Sequence, residues 1–130
     1  MSDHVPRVTT RLYCHGLGDC NLLGFARAGG GTYWMLIDCG IHSSAKDGRE
    51  TIDAVVADIV RTVTPPGGKP RIDVVVATHE HWDHISGFLT AAAIFAPCTV
   101  GEVWLAWTEN PKDALGASLD RYRGEALAVL

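Results

Sequence analysis

Apolar and polar positions alternate over the first forty residues and then change period. Val8 to Tyr13 alternates imperfectly and predicts a first strand. Asn21 to Ala26 and Thr32 to Asp38 predict two further strands, joined as a hairpin across Gly29-Gly30-Gly31. His42 to Arg49 is polar and reads as a surface loop. From Thr51 the spacing is helical, with Ile52, Val55, Val56, Ile59, Val60 and Val63 on one face. Asp53 falls in the first turn, where the helix dipole favours an acid. Pro65-Pro66-Gly67-Gly68 ends that helix. The run Ile72 to Thr78 then reads as a buried strand. Ile85 to Phe95 predicts one helix and Gly101 to Trp107 another strand. Asn110-Pro111 predicts the capped start of a last helix. Hairpin strands followed by alternating helices and strands predict an α/β fold, a sheet layered with helices.

Composition narrows the class. The chain has 130 residues, 47% of them hydrophobic, which suffices for one core. No stretch reaches the roughly 18 apolar residues of a membrane helix. Met1 to Pro6 carries no basic and apolar secretory leader, and His4 there reads as a solvated terminal residue. Cys14, Cys20, Cys39 and Cys98 lack C-x-x-C spacing and read as reduced thiols of a cytoplasmic protein. Cys39 reads as a packing residue. A net charge of −4 argues against a broad nucleic-acid surface, which ordinarily shows a basic patch.

The chemistry concentrates in His79-Glu80-His81-Trp82-Asp83-His84. This cluster begins where the buried strand ends, and open α/β sheets place their sites beyond the carboxyl ends of strands. Alone, a histidine at a strand end is usually a surface residue, and Asp83 alone is a natural helix N-cap. Three histidines and an aspartate within six residues crowd polar groups that need partners. Nitrogen and carboxylate donors suit zinc, and also iron or manganese. In an extended segment His79, His81 and Asp83 share a face, and His84 follows at the start of a helix.

Thr78 to Gly87 resembles the H-x-H-x-D-H signature of the metallo-β-lactamase-fold hydrolases. Met35-Leu36-Ile37-Asp38-Cys39-Gly40 is similar to that family's strand-ending Asp-x-Gly segment. Gly16-Leu17-Gly18-Asp19-Cys20-Asn21-Leu22-Leu23 resembles the Gly-x-Gly-Asp turn of the branch that includes the DNA-uptake protein ComEC. The resemblance implies an αββα sandwich holding two metals, zinc first among them. His79 and His81 would bind the first, and Asp83 and His84 the second. Asp83 would be catalytic, orienting the attacking water. The implied activity is hydrolysis of an ester-type bond in a small-molecule or phosphodiester substrate, and the Gly16 to Asp19 turn tilts this toward phosphodiesters. Alternatives are a thioester or lactone hydrolase of the same fold, or a non-catalytic metal-binding fragment. A di-iron redox branch carries Glu where this chain has His81. The family's third histidine, bridging aspartate and last histidine come from later segments, and no histidine follows His84. Residues 1–130 are therefore expected to be the N-terminal half of the sandwich, incomplete at the C-terminus and nearly inactive alone. They are also expected to self-associate through the surface so exposed, including a stripe of Leu115, Leu119, Leu127 and Leu130.

Other polar and aromatic residues have plainer readings. His15 and His42 read as surface histidines, and Asp19 as the cap of its own turn. Lys69 and Arg71 read as solvated loop charges. Trp82 either floors a substrate pocket or packs under its loop. Trp104 and Trp107 are expected in the core, on opposite faces of one strand.

Overall fold

A computed structural model describes residues 7–128; His4 and Leu130 lie outside them. Five strands form one sheet in the order β1-β2-β3-β4-β5. The strands are β1 (Val8–Leu12), β2 (Cys20–Ala26), β3 (Thr32–Cys39), β4 (Arg71–Ala77) and β5 (Thr99–Leu105). The first three pair antiparallel, and β3-β4 and β4-β5 pair parallel. The β2–β3 hairpin closes where Arg27 N–H donates to the Gly31 carbonyl at 3.1 Å. Gly30 and Gly31 hold φ of 89° and 81° there, a region that only glycine enters without strain.

Helix α1 (Gly48–Val63) crosses from β3 to β4. It buries Ile52, Val55, Val56, Ile59 and Val63 against Leu22, Leu36 and Val75 of the sheet. Each aliphatic side chain so buried stabilises by about 2 kcal/mol. The helix starts three residues before the expected Thr51. Asp47 precedes it in the left-handed region, and its carbonyl accepts from the Thr51 N–H and hydroxyl. Thr51 thus sits inside the first turn, and apolar spacing alone could not see the extra turn at Gly48.

The segment expected as one helix from Ile85 to Phe95 is two. Helix α2 (Trp82–Thr90) ends at Ala91, and a single turn, α3 (Ala92–Phe95), follows. The Thr90 hydroxyl donates to the Ser86 carbonyl at 2.9 Å, a bond that competes with the helical ladder where the helix stops. The last helix, α4 (Ala114–Leu127), opens later than expected. Its cap is Asp113, which accepts from Gly116 N–H at 2.8 Å, whereas Asn110 caps a short turn by accepting from Lys112 N–H. Trp107 lies in a 3-10 turn (Trp107–Glu109) rather than in β5. Trp104 and Trp107 are both exposed, contrary to the core packing expected of them. No helix among the described residues is long and apolar enough to cross a membrane.

The architecture is mixed α/β, matching a part of the αββα sandwich expected from sequence. The two sheet faces differ. Helix α1 and its neighbours seal Leu22, Leu36 and Val75 on one face. On the other, Leu23, Phe25, Tyr33, Met35, Ile37 and Val76 are only half-buried, and Trp104 is exposed. Every residue of β5 is exposed, and α4 packs chiefly on the 3-10 turn. A contiguous apolar face beside an open strand edge drives association in water. Light scattering on this chain at tens of micromolar is expected to give dimers or larger species that bind a hydrophobic dye. A monodisperse monomer with no dye binding would show that the face is satisfied within the chain.

Candidate metal centre

The carboxyl ends of β3 and β4 lie side by side and deliver the polar residues to one place. Asp38, on β3, has a φ of 55° that turns its side chain away from the strand's regular alternation. Its carboxylate is buried and hydrogen-bonded at both oxygens. One oxygen accepts from the Thr78 N–H at 2.8 Å. The other accepts from the Thr78 hydroxyl at 2.6 Å and from His84 Nδ1 at 2.9 Å.

The motif runs off β4 as a short extended segment and enters α2. His81, exposed, is the residue before the helix, and its carbonyl accepts from the His84 and Ile85 N–H groups. Asp83 therefore sits in the first helical turn, not in the extended segment expected to align it with His79 and His81. The side chains gather nonetheless. The His79 ring lies 4.6 Å from that of His81 and 3.9 Å from that of His84, centroid to centroid. His84 Nε2 faces the Asp83 carboxylate at 3.8 Å. His79 Nδ1 is 3.0 Å from the Thr78 hydroxyl, which leaves its Nε2 clear.

Asp19 comes to the same place from the β1–β2 turn. Its carboxylate lies 3.4 Å from His84 Nδ1. Asp19, Asp38 and His84 each offer a ligand atom, all within 4.8 Å of one another. The reading of Asp19 as a plain turn cap is thus corrected. The turn folds back because Asp19 N–H donates to the Asp83 carbonyl and Gly40 N–H to the Asp19 carbonyl, each at 3.0 Å. Of the other histidines, His15 bridges backbone, with its ring nitrogens 2.7 Å from the Tyr13 and Gly40 carbonyls. Exposed His42 meets Ser44. Exposed Trp82 lines a small groove with Ile41 and Ile52, beside the centre rather than beneath it.

The donor set fits a dication. Imidazole and carboxylate are the ligands of zinc, iron and manganese sites. Three imidazoles and three carboxylates gathered this closely also offer one cation a shared set of nitrogen and oxygen donors. Asp38 already accepts three hydrogen bonds, so its geometry suits an orienting carboxylate, fixing the His84 tautomer, better than a direct ligand. Asp83, partly exposed, and Asp19, exposed, retain free oxygens.

Neither Asp38 nor Asp19 is a metal-site residue in the sequence reading. The strand-ending Asp-x-Gly pattern was the only local signal for Asp38, and nothing local shows that residue 19 meets residue 84. Asp38→Asn tests the orienting role. An amide cannot accept on both sides, so at least one part-buried donor of Thr78 or His84 loses its partner, at a cost of about 1 kcal/mol. The variant is expected to unfold at lower denaturant concentration and to bind zinc about tenfold or more weakly. Unchanged stability and zinc affinity would assign His84 orientation to another group.

The sequence model of the metallo-beta-lactamase superfamily matches residues 17–113, which hold the Gly18-Asp19 turn, Asp38 and the whole histidine cluster. No curated protein and no solved structure matches the chain. A family match over most of the chain, on a sheet that brings the family's motif segments together at one strand end, establishes that the chain belongs to the metallo-beta-lactamase superfamily.

Proposed function

We propose that the chain is part of a metal-dependent hydrolase whose complete domain carries the activity, with His79, His81, Asp83 and His84 as metal ligands and Asp83 also orienting the attacking water. The superfamily is mostly made of hydrolytic enzymes. The observation that carries the proposal is the convergence of the His79, His81 and His84 rings with the Asp83, Asp38 and Asp19 carboxylates at one sheet end. Zinc is the metal we favour, in up to two positions, with iron or manganese as alternatives. The substrate class we favour is a phosphodiester or another ester-type bond. The Gly16 to Asp19 turn tilts this reading toward the phosphodiester through its resemblance to the ComEC branch.

A bound dication supplies Lewis acidity and lowers the pKa of a water ligand from about 15.7 to about 7. The chain's residues do the rest. Thr78 fixes the His79 ring through Nδ1, and Asp38 fixes His84 in the same way, so each ring turns its Nε2 outward. Asp83 is one-third exposed and can accept a proton from water at the rim. Helix α2 begins at Trp82, so its positive end lies at the centre and favours negative charge building on a substrate.

Elemental analysis tests the ligands. Protein prepared with zinc and desalted is expected to keep its metal, and His79→Ala with His81→Ala to lose most of it. Equal metal in both would move the site elsewhere. Catalytic zinc ordinarily has three protein ligands and an open position, whereas here two histidines serve the first position. Turnover of bis-p-nitrophenyl phosphate or a thioester by this chain is therefore expected to be near background. Robust, chelator-sensitive turnover would mean that another group completes the site.

A further inference from the structure

At the end of the sheet away from the metal centre lies a cavity of ≈ 560 Å³, walled by the β2–β3 turn, the starts of β3 and β4, and the end of α1. Two guanidiniums meet one carboxylate in its wall. Arg27 Nη2 and Arg71 Nε donate to the same oxygen of Asp73, at 2.7 and 2.8 Å. The Trp34 N–H donates to the other oxygen at 2.9 Å. Burial pushes the Asp73 carboxyl up, but the Trp34 N–H and the two guanidiniums outweigh it and hold the group below its usual range. Asp73 is thus ionised at neutral pH, and two cations against one anion leave this wall with a net charge of +1.

One arginine neutralises Asp73; the second is surplus. Both are fixed in place. Arg27 stacks on the Tyr33 ring at 5.2 Å. Arg71 lies across Gly101, where an added Cβ would stand 3.0 Å from its Nη2. Their remaining N–H groups make no hydrogen bond to protein among the described residues, and both side chains are about half exposed. A guanidinium fork held in position is the standard receptor for carboxylate and phosphate oxygens. The opposite walls are largely apolar, with Trp34, Val63, Pro65 and Pro66. The carboxyl end of α1 also borders the space, and its dipole opposes a bare anion. An anion carrying an apolar body gains burial that a bare anion does not.

We propose that this cavity binds a small organic oxyanion, a carboxylate or phosphate on a flat apolar body, with Arg27 and Arg71 on the oxyanion and Trp34 and Pro65 along the body. The site is separate from the metal centre and does not depend on it.

Ligand-observed fluorine NMR tests this at a few micromolar protein, with 4-fluorobenzoate, 4-fluorophenyl phosphate and, as the cationic control, 4-fluorobenzylamine. Saturable binding of at least one of the two anions is expected, and none of the amine. The anion that binds better identifies the oxyanion. Two variants locate the site. Arg71→Gln leaves Arg27 on Asp73 but removes the surplus charge, and Thr62→Trp fills the cavity from half-buried Thr62 on α1. Each is expected to weaken binding about tenfold or more, the scale of one charge-assisted hydrogen bond. Wild-type protein that binds neither anion, amine binding as tight as anion binding, or both variants binding like wild type would each overturn the proposal.

Discussion

The centre depends on three backbone segments lying against one another with no side chains between them. The β1–β2 turn, the end of β3 and the start of α2 meet at Gly18, Gly40 and Asp83. Gly18 holds a φ of 144°, and a Cβ there would stand 2.9 Å from the Asp83 carbonyl oxygen while colliding with Gly40. A Cβ on Gly40 would overlap the Asp83–His84 peptide. Because both residues are glycine, the Asp19 and Gly40 N–H groups reach their carbonyl acceptors at 3.0 Å. Gly87 does the same one turn later, where a Cβ would meet the Cys39 sulfur at 2.6 Å. Buried Ser86 ties α2 to the segment after β3, accepting from Ile41 N–H and donating to its carbonyl. Six polar side chains can then crowd together, because their positions are set by main-chain contacts rather than by the side chains' own preferences.

Much of this frame was legible in the sequence because it rests on local signals. The apolar run 72–78, the alternation around Gly29-Gly30-Gly31 and the helical spacing from Ile52 each report neighbours within four positions. So does the histidine cluster, whose members are near in space because they are near in sequence. The illegible parts are long-range or come from competing short bonds. Asp19 meets His84 across 65 positions, through a turn that only the close glycine contacts explain. The helix break at Ala91 and the displaced cap at Asp113 turn on which hydroxyl or carboxylate wins a particular backbone group. Apolar periodicity does not encode that contest. Trp104 and Trp107 were placed in a core on hydrophobicity alone, yet an exposed aromatic is uninformative without its sheet face.

Arg71 shows the same limit for charge. From sequence it is an unremarkable loop cation beside Lys69. In the fold it opens β4 and reaches Asp73 two residues on, the same side of the strand. Arg27 arrives at that carboxylate across 46 positions, from a turn whose glycines set its direction. The pairing arises from strand order, which no local pattern specifies.

Strand order also gives the β3–β4 pair a reciprocal clamp. At the carboxyl end, Asp38 of β3 accepts from the backbone N–H of Thr78, the residue after β4. At the amino end, Asp73 of β4 accepts from the backbone N–H of Trp34 in β3. Each buried carboxylate thus closes the parallel ladder where main-chain pairing runs out, and each needs hydrogen-bonding or charged partners to offset its burial. The fold meets that need differently at the two ends. At Asp73 two arginines provide permanent charge. At Asp38 the partners are the backbone N–H and hydroxyl of one threonine and the ring of one histidine, beside two further carboxylates. Among the described residues no arginine or lysine pairs with Asp38, and a dication bound beside it would supply there the fixed positive charge that the arginines supply at Asp73.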